Sequence, residues 1–544
     1  MSISNTLPKA SAERIRRDQA DWRYTTIAES AWKRSAEQPD DIAFVLESEE
    51  KTFSQIANEA KCLITGLISI GLKSGDTIAF QLPNWIEAAP IDIACSALGL
   101  VVVPIVPIYR NKELSFILSD ASVKAAFIPD KYRSADFRDM YRRLQEELEC
   151  LNSIVLLRNE LPADSNYCEV DFSSLMDNEP FDETLLERTD PDQLKTILYT
   201  SGTTGTPKAV MHSHNTINRV IDNKVDYLSL DNDHQDRMFM ASPITHITGY
   251  GSINFPFTTG LSTALMERWD ANVAVNFISQ TRSTVSVGAT PFLKELLDAA
   301  EANNNPLPSM RYFICGGASV PPQIIYRTTK ILENCRAFRV YGSTEAPIIT
   351  LGWPEATQQE LAAETDGKVF NYDVRIINDR GENITAIGSE GEIAAIGSGM
   401  MLGYKDQNQN SEAYTDGYFM TGDIGVLTKD NALIITDRKK DIIIRGGENI
   451  SAKEVEDMLH SHPAIKEAAV VSRSHPRLGE GVYAYLLIKP GATPPSLTEI
   501  KNFSESTKIA KQKIPEEIEI VKDFPRTPSG KVRKDQLRKK LRHD

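Results

Sequence analysis

The chain has 544 residues, too many for a single hydrophobic core, so two or more domains are expected. With 41% apolar and 25% charged residues it has a globular composition, which excludes a disordered or fibrous protein. Its formal charge of −15 argues against a general nucleic-acid binder, because neutralising phosphates takes clustered Lys and Arg.

The N-terminal stretch MSISNTLPKASAERIRRDQADW has no apolar signal core, and no later segment reaches the roughly eighteen apolar residues of a membrane span. A cytoplasmic protein without a membrane span is expected. Six cysteines, at 62, 95, 150, 168, 315 and 335, form no C-x-x-C pair, so they read as reduced thiols rather than a disulfide framework or zinc site. From residue 53 helical and strand patterns alternate. FSQIANEAKCLITGLISIGL has helical spacing and ends in glycine, SGDTIAFQLP turns into a strand, and AAPIDIACSALGL precedes the short buried strand VVVPIVPI. Further strands are predicted at DASVKAAFIP, LKTILYT, DRMFMASP, STALMER, STVSVGA and MRYFICGG. This alternation predicts a layered α/β fold.

Near residue 367 the texture changes to short β runs, KVFNYDVRIIN, GEIAAIG and ALIITD, which predict a β-subdomain. DRKKDIIIRGGENI (437–450) leads into a helix at SAKEVEDMLHSH, with Ser451 as N-cap and Glu454 completing a capping box. A domain boundary is therefore placed at 438–441, giving domains 1–439 and 440–544, the second a compact α+β unit. Residues 441–544 carry 19 Lys and Arg against 15 Asp and Glu, so a mildly basic end follows an acidic body. That suits an anionic ligand or a solvated lysine-rich helix equally well.

Four stretches carry chemistry. TSGTTGTPKA (200–209) directly follows a predicted strand, where open α/β sheets collect ligands. Gly202 and Gly205 let backbone N–H groups approach an anion, hydroxyls add donors and Lys208 adds a charge. The spacing differs from that of a P-loop, and as a lone feature it reads as a phosphate cradle or a turn-rich surface loop with equal weight. YGSTEA (341–346) places Glu345 at a glycine turn, and a carboxylate beside phosphates suits Mg²⁺. In YFMTGDIG, Asp423 is positioned to accept hydrogen bonds from ribose hydroxyls. PRTPSGKVRK (525–534) sets Lys531 in a Pro/Ser/Gly turn that by itself reads as an exposed tail.

Taken together, YTSGTTGTPKAV, YGSTEA, TGDIG, DRKKDIIIRGGENI and PRTPSGKVRK resemble, in type, order and spacing, the motifs of the ANL superfamily of adenylate-forming enzymes over nearly the whole chain. The stretch SPITHITGYGSINFPFTTG (242–260) looks most like short- and medium-chain or alicyclic acyl-CoA ligases. The resemblance implies a large N-terminal adenylating domain, of two α/β-layered subdomains plus a β-subdomain, and a small mobile α+β C-terminal domain.

The implied reaction is attack of a carboxylate on the α-phosphate of ATP, giving an acyl-adenylate and pyrophosphate, then transfer of the acyl group to the thiol of CoA. By the resemblance, Thr200, Ser201, Gly202, Thr203, Thr204, Gly205 and Lys208 hold the β- and γ-phosphates. Tyr341 stacks near the adenine, Gly342 and Ser343 belong to the nucleotide site, Thr344 contacts the α-phosphate, Glu345 helps bind Mg²⁺, and Asp423 with Arg438 holds the ribose. Lys531 bridges carboxylate and α-phosphate, Lys440 is the hinge, and Gly446, Gly447 and Glu448 form the thiol tunnel. His246, Gly249, Tyr250, Gly316, Gly317 and Ala318 are the acyl-pocket candidates, the small ones read as leaving room for substrate, and His246 joins Lys531, Thr344 and Glu345 as a catalytic candidate. Two departures stand out: Met420 before TGD, where many family members carry Arg or Lys, and the looser TDGKVFNYDVRI.

The alternative within the superfamily is a ligase loading a fatty or β-amino acid onto the phosphopantetheine of an acyl carrier protein. A catalytically silent protein of the same fold that binds acyl or nucleotide ligands for regulation is the alternative of another functional class, disfavoured by the presence of Lys531, Glu345 and Asp423 together.

Overall fold

The computed structural model describes residues 22–159, 162–200, 207–231, 233–318, 320–446, 448–507, 509–527 and 530–541. They form two compact units. The first takes the described residues up to Ala363 with Phe370–Asp373 and Ile396–Tyr418; the second takes Glu364–Val369, Val374–Ala395 and the described residues from Phe419 onward.

Two sheets organise the first unit, as the alternating pattern predicts. In one, Val101–Pro104, Thr77–Phe80, Val123–Pro129, Ser153–Leu157 and Glu169–Asp171 lie side by side in parallel. Beyond Val101–Pro104 come β1 (Leu194–Thr200), β2 (Lys208–Ser213) and the short strand Gly403–Tyr404, the last two pairings antiparallel. The apolar residues of these strands explain their depth: Val103, Ile154, Ile197 and Met211 share one core with Phe137, Tyr141 and Leu144 of the helix Phe137–Glu147. Each such side chain, fully buried, contributes about 1.5–3 kcal/mol.

β2 runs into helix α1 (His214–Leu228), begun by a full capping box in which Ser213 accepts from Thr216 N while Thr216 Oγ1 accepts from Ser213 N. Helix α2 (Ile247–Thr259) ends at Gly260, whose φ of 79° is the left-handed conformation a helix stop favours. The second sheet places Arg237–Met240, Val285–Gly288, β3 (Tyr312–Gly316) and β4 (Arg336–Tyr341) in parallel register, with Ser262–Leu265 and Ile42–Leu46 on its other side. Both α/β-layered subdomains of the expected fold are thus present.

In the second unit β5 (Tyr418–Leu427) pairs antiparallel with Glu390–Gly397 and with β6 (Leu433–Arg438). Two turns later the hairpin of Ile443–Arg445 and Glu448–Ile450 leads to helix α3 (Ala452–His460). Ser451 caps α3, accepting from Glu454 N at 3.1 Å; the expected reciprocal half of the capping box is not the role Glu454 takes, because its carboxylate pairs with Lys513 at 2.6 Å. The long strands Ile465–His475 and Gly479–Ile488 form a hairpin, Glu517–Val521 joins the latter in parallel, and helix α4 (Lys534–Leu541) ends the described chain. Val455, Leu459, Val470, Leu486 and Ile500 pack as one core, and Val471, Tyr485, Phe524 and Leu537 as another.

Among the described residues no helix is long and apolar enough to cross a membrane. All six cysteines are free thiols, four of them buried.

Candidate active site

The glycine-rich stretch joins two paired strands. β1 and β2 lie antiparallel with Thr200 opposite Lys208, so the two ends of TSGTTGTPK are held side by side at a sheet position. Ser201, Gly202, Thr203, Thr204 and Gly205 lie outside the described residues, as does Gly447.

Lys208 opens onto a constellation that the sequence does not announce. Its Nζ stands 4.7 Å from the ring centroid of Tyr404, a cation–π contact, and the Tyr404 hydroxyl donates to Glu345 Oε1 at 2.8 Å. Burial, reinforced by the Glu345 carboxylate, pushes the Tyr404 hydroxyl well above the ordinary tyrosine range, so it stays protonated and serves as a donor. One aromatic side chain thus joins the lysine of the phosphate-type loop to the carboxylate expected to bind metal, across 196 residues of sequence for the first contact and 59 for the second.

The turn bearing Glu345 is fixed from several sides. Ser343 N donates to Ala346 O and Ala346 N to Ser343 Oγ, closing the turn on itself. Gly342 is required there, since a Cβ would stand 2.4 Å from Ile348 N. Tyr341 ends β4, its N–H bonded to Thr350 Oγ1 at 3.0 Å. The carbonyl of Thr344, a buried residue, accepts from His212 Nε2 at 2.8 Å, and the carbonyl of Glu345 accepts from Met401 N at 2.8 Å. A carbonyl only accepts, so His212 carries its proton on Nε2, leaving Nδ1 to Thr216 Oγ1 at 3.1 Å. Sequence reasoning passes over both His212 and Tyr404, because their partners are set by strand register between distant segments.

The acyl-pocket candidates divide. His246 caps α2, accepting from Thr248 N at 3.3 Å through Nδ1 and leaving Nε2 on the opposite ring edge. Gly317 takes a φ of 80° and is exposed, as is Ala318. The other three correct the expectation that small or pocket-facing residues leave room for substrate. A Cβ on Gly249 would meet Pro243 O at 2.2 Å, and one on Gly316 would meet Val340 O at 2.4 Å, so neighbouring backbone already fills that space. Tyr250 is fully buried and its hydroxyl donates to Asp92 at 2.6 Å, while the other Asp92 oxygen holds the buried Lys195 at 2.7 Å. Its polar end is spent on a satisfied core trio.

In the second unit Asp423 and Arg438 stand opposite each other on β5 and β6 and form an ion pair at 3.0 Å. Gly422, within β5, takes a φ of 72° where the pairing with Glu390–Gly397 is irregular, and its carbonyl accepts from Lys439 N at 2.9 Å. Lys440 lies exposed in the turn after β6. Its neighbour Asp441 pairs with Arg538 of α4; burial pushes this carboxyl up, but Lys534 and Arg538 outweigh it and hold it below the usual aspartate range. Gly446 has a φ of 62° and donates to Leu478 O at 2.8 Å, and Glu448 is exposed opposite Arg445. Lys531 sits in a turn closed by Thr527 N to Lys531 O at 2.7 Å and Lys531 N to Thr527 Oγ1 at 3.1 Å. Arg526 braces that turn, donating to the Gly530 carbonyl at 3.1 Å and to both oxygens of Glu467. The described residues on either side of Lys531 are therefore tied down by hydrogen bonds, unlike the loose tail the composition suggests.

The family model described as AMP-binding enzyme matches residues 31–405, and that of the AMP-binding enzyme C-terminal domain matches residues 454–531. The chain is 34% identical to the medium-chain fatty-acid–CoA ligase of Escherichia coli (strain K12) over 533 residues, covering 96% of this chain and 92% of the relative. It is 28% identical to the mitochondrial medium-chain acyl-CoA ligase ACSF2 of Mus musculus, covering 95% of this chain and 88% of the relative. Among solved structures it resembles o-succinylbenzoate CoA synthetase from Bacillus subtilis in complex with its acyl-adenylate intermediate, with a TM-score of 0.81, 26% identity, and 93% and 97% of the two chains covered. With both family models matched along the chain and the motif residues arranged as above, the protein belongs to the AMP-binding enzymes of the ANL superfamily and is an AMP-forming acid–thiol ligase.

Proposed function

We propose that the protein activates a carboxylic acid of medium chain length with ATP, releases pyrophosphate, and transfers the acyl group to CoA in the cytoplasm. The observation that carries this reading is the Lys208–Tyr404–Glu345 constellation at the end of the β1–β2 hairpin. Adenylation brings two anions together and expels a third, so cations and donors fixed in advance around the phosphates are what the step demands. Lys208 supplies one such charge beside the loop of hydroxyls and backbone N–H groups.

The residues fit a magnesium ion. Tyr404 engages Glu345 Oε1 and orients the carboxylate, and Glu345 would hold the ion, since Mg²⁺ favours sites with one or two carboxylates. When bound, the ion neutralises charge on the pyrophosphate leaving group. Asp423 is assigned to the ribose hydroxyls, with Arg438 fixing its orientation. Lys531 is assigned to the reacting carboxylate and α-phosphate, where a mobile point charge follows developing negative charge. His246, with Nδ1 committed to the helix cap, presents its other ring edge to the acyl group.

CoA is preferred to a carrier protein as acceptor because the named relatives are CoA ligases. The test is acid-dependent ATP–pyrophosphate exchange followed by thioester detection with CoA and with a holo carrier protein. Exchange with medium-chain acids and a CoA product is expected. Transfer to the carrier alone would replace CoA as acceptor, and exchange confined to aromatic acids would replace the acid class.

A further inference from the structure

Helices α1 and α2 of the first unit pack against each other, and a lysine is buried between them. Lys224 is 5% exposed, and a Cβ placed on Gly251 of α2 would stand 3.8 Å from Lys224 Nζ. One turn away along α1 its neighbours are Val220, Ile221, Tyr227 and Leu228, none of them anionic. The carboxylates of α1 are engaged elsewhere, Asp222 by Arg23 at 2.5 Å and Asp226 by Arg219 at 3.7 Å. Among the described residues Lys224 forms neither an ion pair nor a hydrogen bond. Burial alone draws its ammonium down to about 8, which leaves it largely protonated at neutral pH. A buried cation without a counter-charge is costly to hold, and such groups persist where function uses them.

Gly251 points the same way. A glycine inside a helix is less favourable than alanine, so it calls for a cause. Gly249 has one in the Pro243 carbonyl 2.2 Å from its would-be Cβ; Gly251 has none, since the nearest atoms are Ile221 Cγ1 at 3.7 Å and Lys224 Nζ at 3.8 Å, ordinary contact distances. The missing side chain therefore leaves space directly in front of the ammonium. Gly251 lies five positions beyond His246, so the cation lies about 7.5 Å further along the axis of α2 than the cap assigned to the acyl group.

Resting on the ligase reading above, we propose that Lys224 is a specificity-determining residue at the distal end of the acyl site, where it receives the second carboxylate of a dicarboxylic acid whose first carboxylate is adenylated. An anionic terminus entering beside Gly251 supplies the missing counter-charge, and an alkyl terminus leaves the ammonium buried and unpaired.

The experiment is ATP–pyrophosphate exchange with the full chain, comparing octanoic, 8-hydroxyoctanoic and suberic acids, and hexanoic with adipic acid. Wild-type protein is expected to show kcat/KM at least tenfold higher for the diacids. Lys224→Met, which keeps an unbranched apolar stem one atom shorter and removes the charge, should reverse that preference by tenfold or more without lowering Tm. Gly251→Val, which fills the space, should lose diacid activity while Lys224 is intact, and it provides a second route if the first variant folds poorly. Wild-type preference for octanoic or 8-hydroxyoctanoic acid over suberic acid would overturn the proposal and leave the ligase standing. An unchanged diacid ratio in Lys224→Met would overturn it as well. Exchange with no acid would overturn this proposal and the ligase reading together.

Discussion

Tyr404 touches Lys208 with its ring and Glu345 with its hydroxyl, so two variants separate the two contacts. Tyr404→Phe keeps the ring under the ammonium and removes the donor from Glu345; we expect it to raise the Mg²⁺ concentration needed for half-maximal exchange by about tenfold, as the loss of a residue orienting a metal ligand does. Tyr404→Leu removes both contacts and should also raise KM for ATP. Equal Mg²⁺ dependence in wild type and Tyr404→Phe would exclude the orienting role. Lys531→Ala should lower adenylation by about 100-fold or more, the scale of losing one donor to developing charge, and leave thioester formation from supplied acyl-adenylate largely intact. Comparable loss of both half-reactions, measured separately, would move Lys531 out of the first step.

At the scale of elements, strand ends near the sheets are held by charges as well as by apolar packing. The strand Glu169–Asp171 is tied to the helix Phe137–Glu147 by a fully covered Glu169 carboxylate that accepts from Arg138 at 2.5 Å and Arg142 at 2.6 Å. Burial pushes this carboxyl up, but the hydrogen bonds from the two arginines outweigh it and hold it at about 2. A depressed carboxylate stabilises the fold above its ordinary value near 4.5, and that contribution is lost as pH falls from there through about 2. Glu169→Gln should therefore cost about 3 kcal/mol at pH 7, with the wild-type and variant stabilities converging as the pH is lowered through that window. Denaturant titrations at a series of pH values measure it; a pH-independent difference would assign the loss to packing instead.

At the scale of the whole molecule, the second unit has its own buried polar network as well as its own cores. Lys534, the first residue of α4, pairs with Glu456 of α3 at 2.7 Å, the two side chains being only 17% and 12% exposed, while Arg538 of the same helix holds Asp441 after β6. Burial pulls the Lys534 ammonium down, but Glu456 and Asp441 more than offset it, and the lysine stays above its ordinary range. Lys534→Met leaves the Glu456 carboxylate covered and without its counter-charge, so we expect a loss of about 3 kcal/mol, read as a lower melting transition of the full chain. Glu456→Gln added to Lys534→Met should recover part of it; no recovery would show that the lysine acts through its stem rather than its charge.

Much of this molecule was legible in order. Strands such as LKTILYT and MRYFICGG, the helix at 53–69 and the cap at Ser451 follow from periodicity and turn chemistry within a few residues, because the forces that form them act over that range. The motif residues were legible too, since phosphate and ribose chemistry restricts residue type at close spacing. What sequence could not supply was anything decided by distant packing. Gly249 and Gly316 looked like space and are close backbone contacts; Tyr250 looked like a pocket wall and is part of a satisfied core trio; His212, Tyr404 and Lys224 drew no notice. The sequence by itself determined the alternation of elements, the family and the kind of reaction, because each rests on local pattern and residue chemistry. Only the tertiary structure decided which donors meet which acceptors and which cation is buried without a partner, because strand register and helix packing join residues that lie from tens to nearly two hundred positions apart.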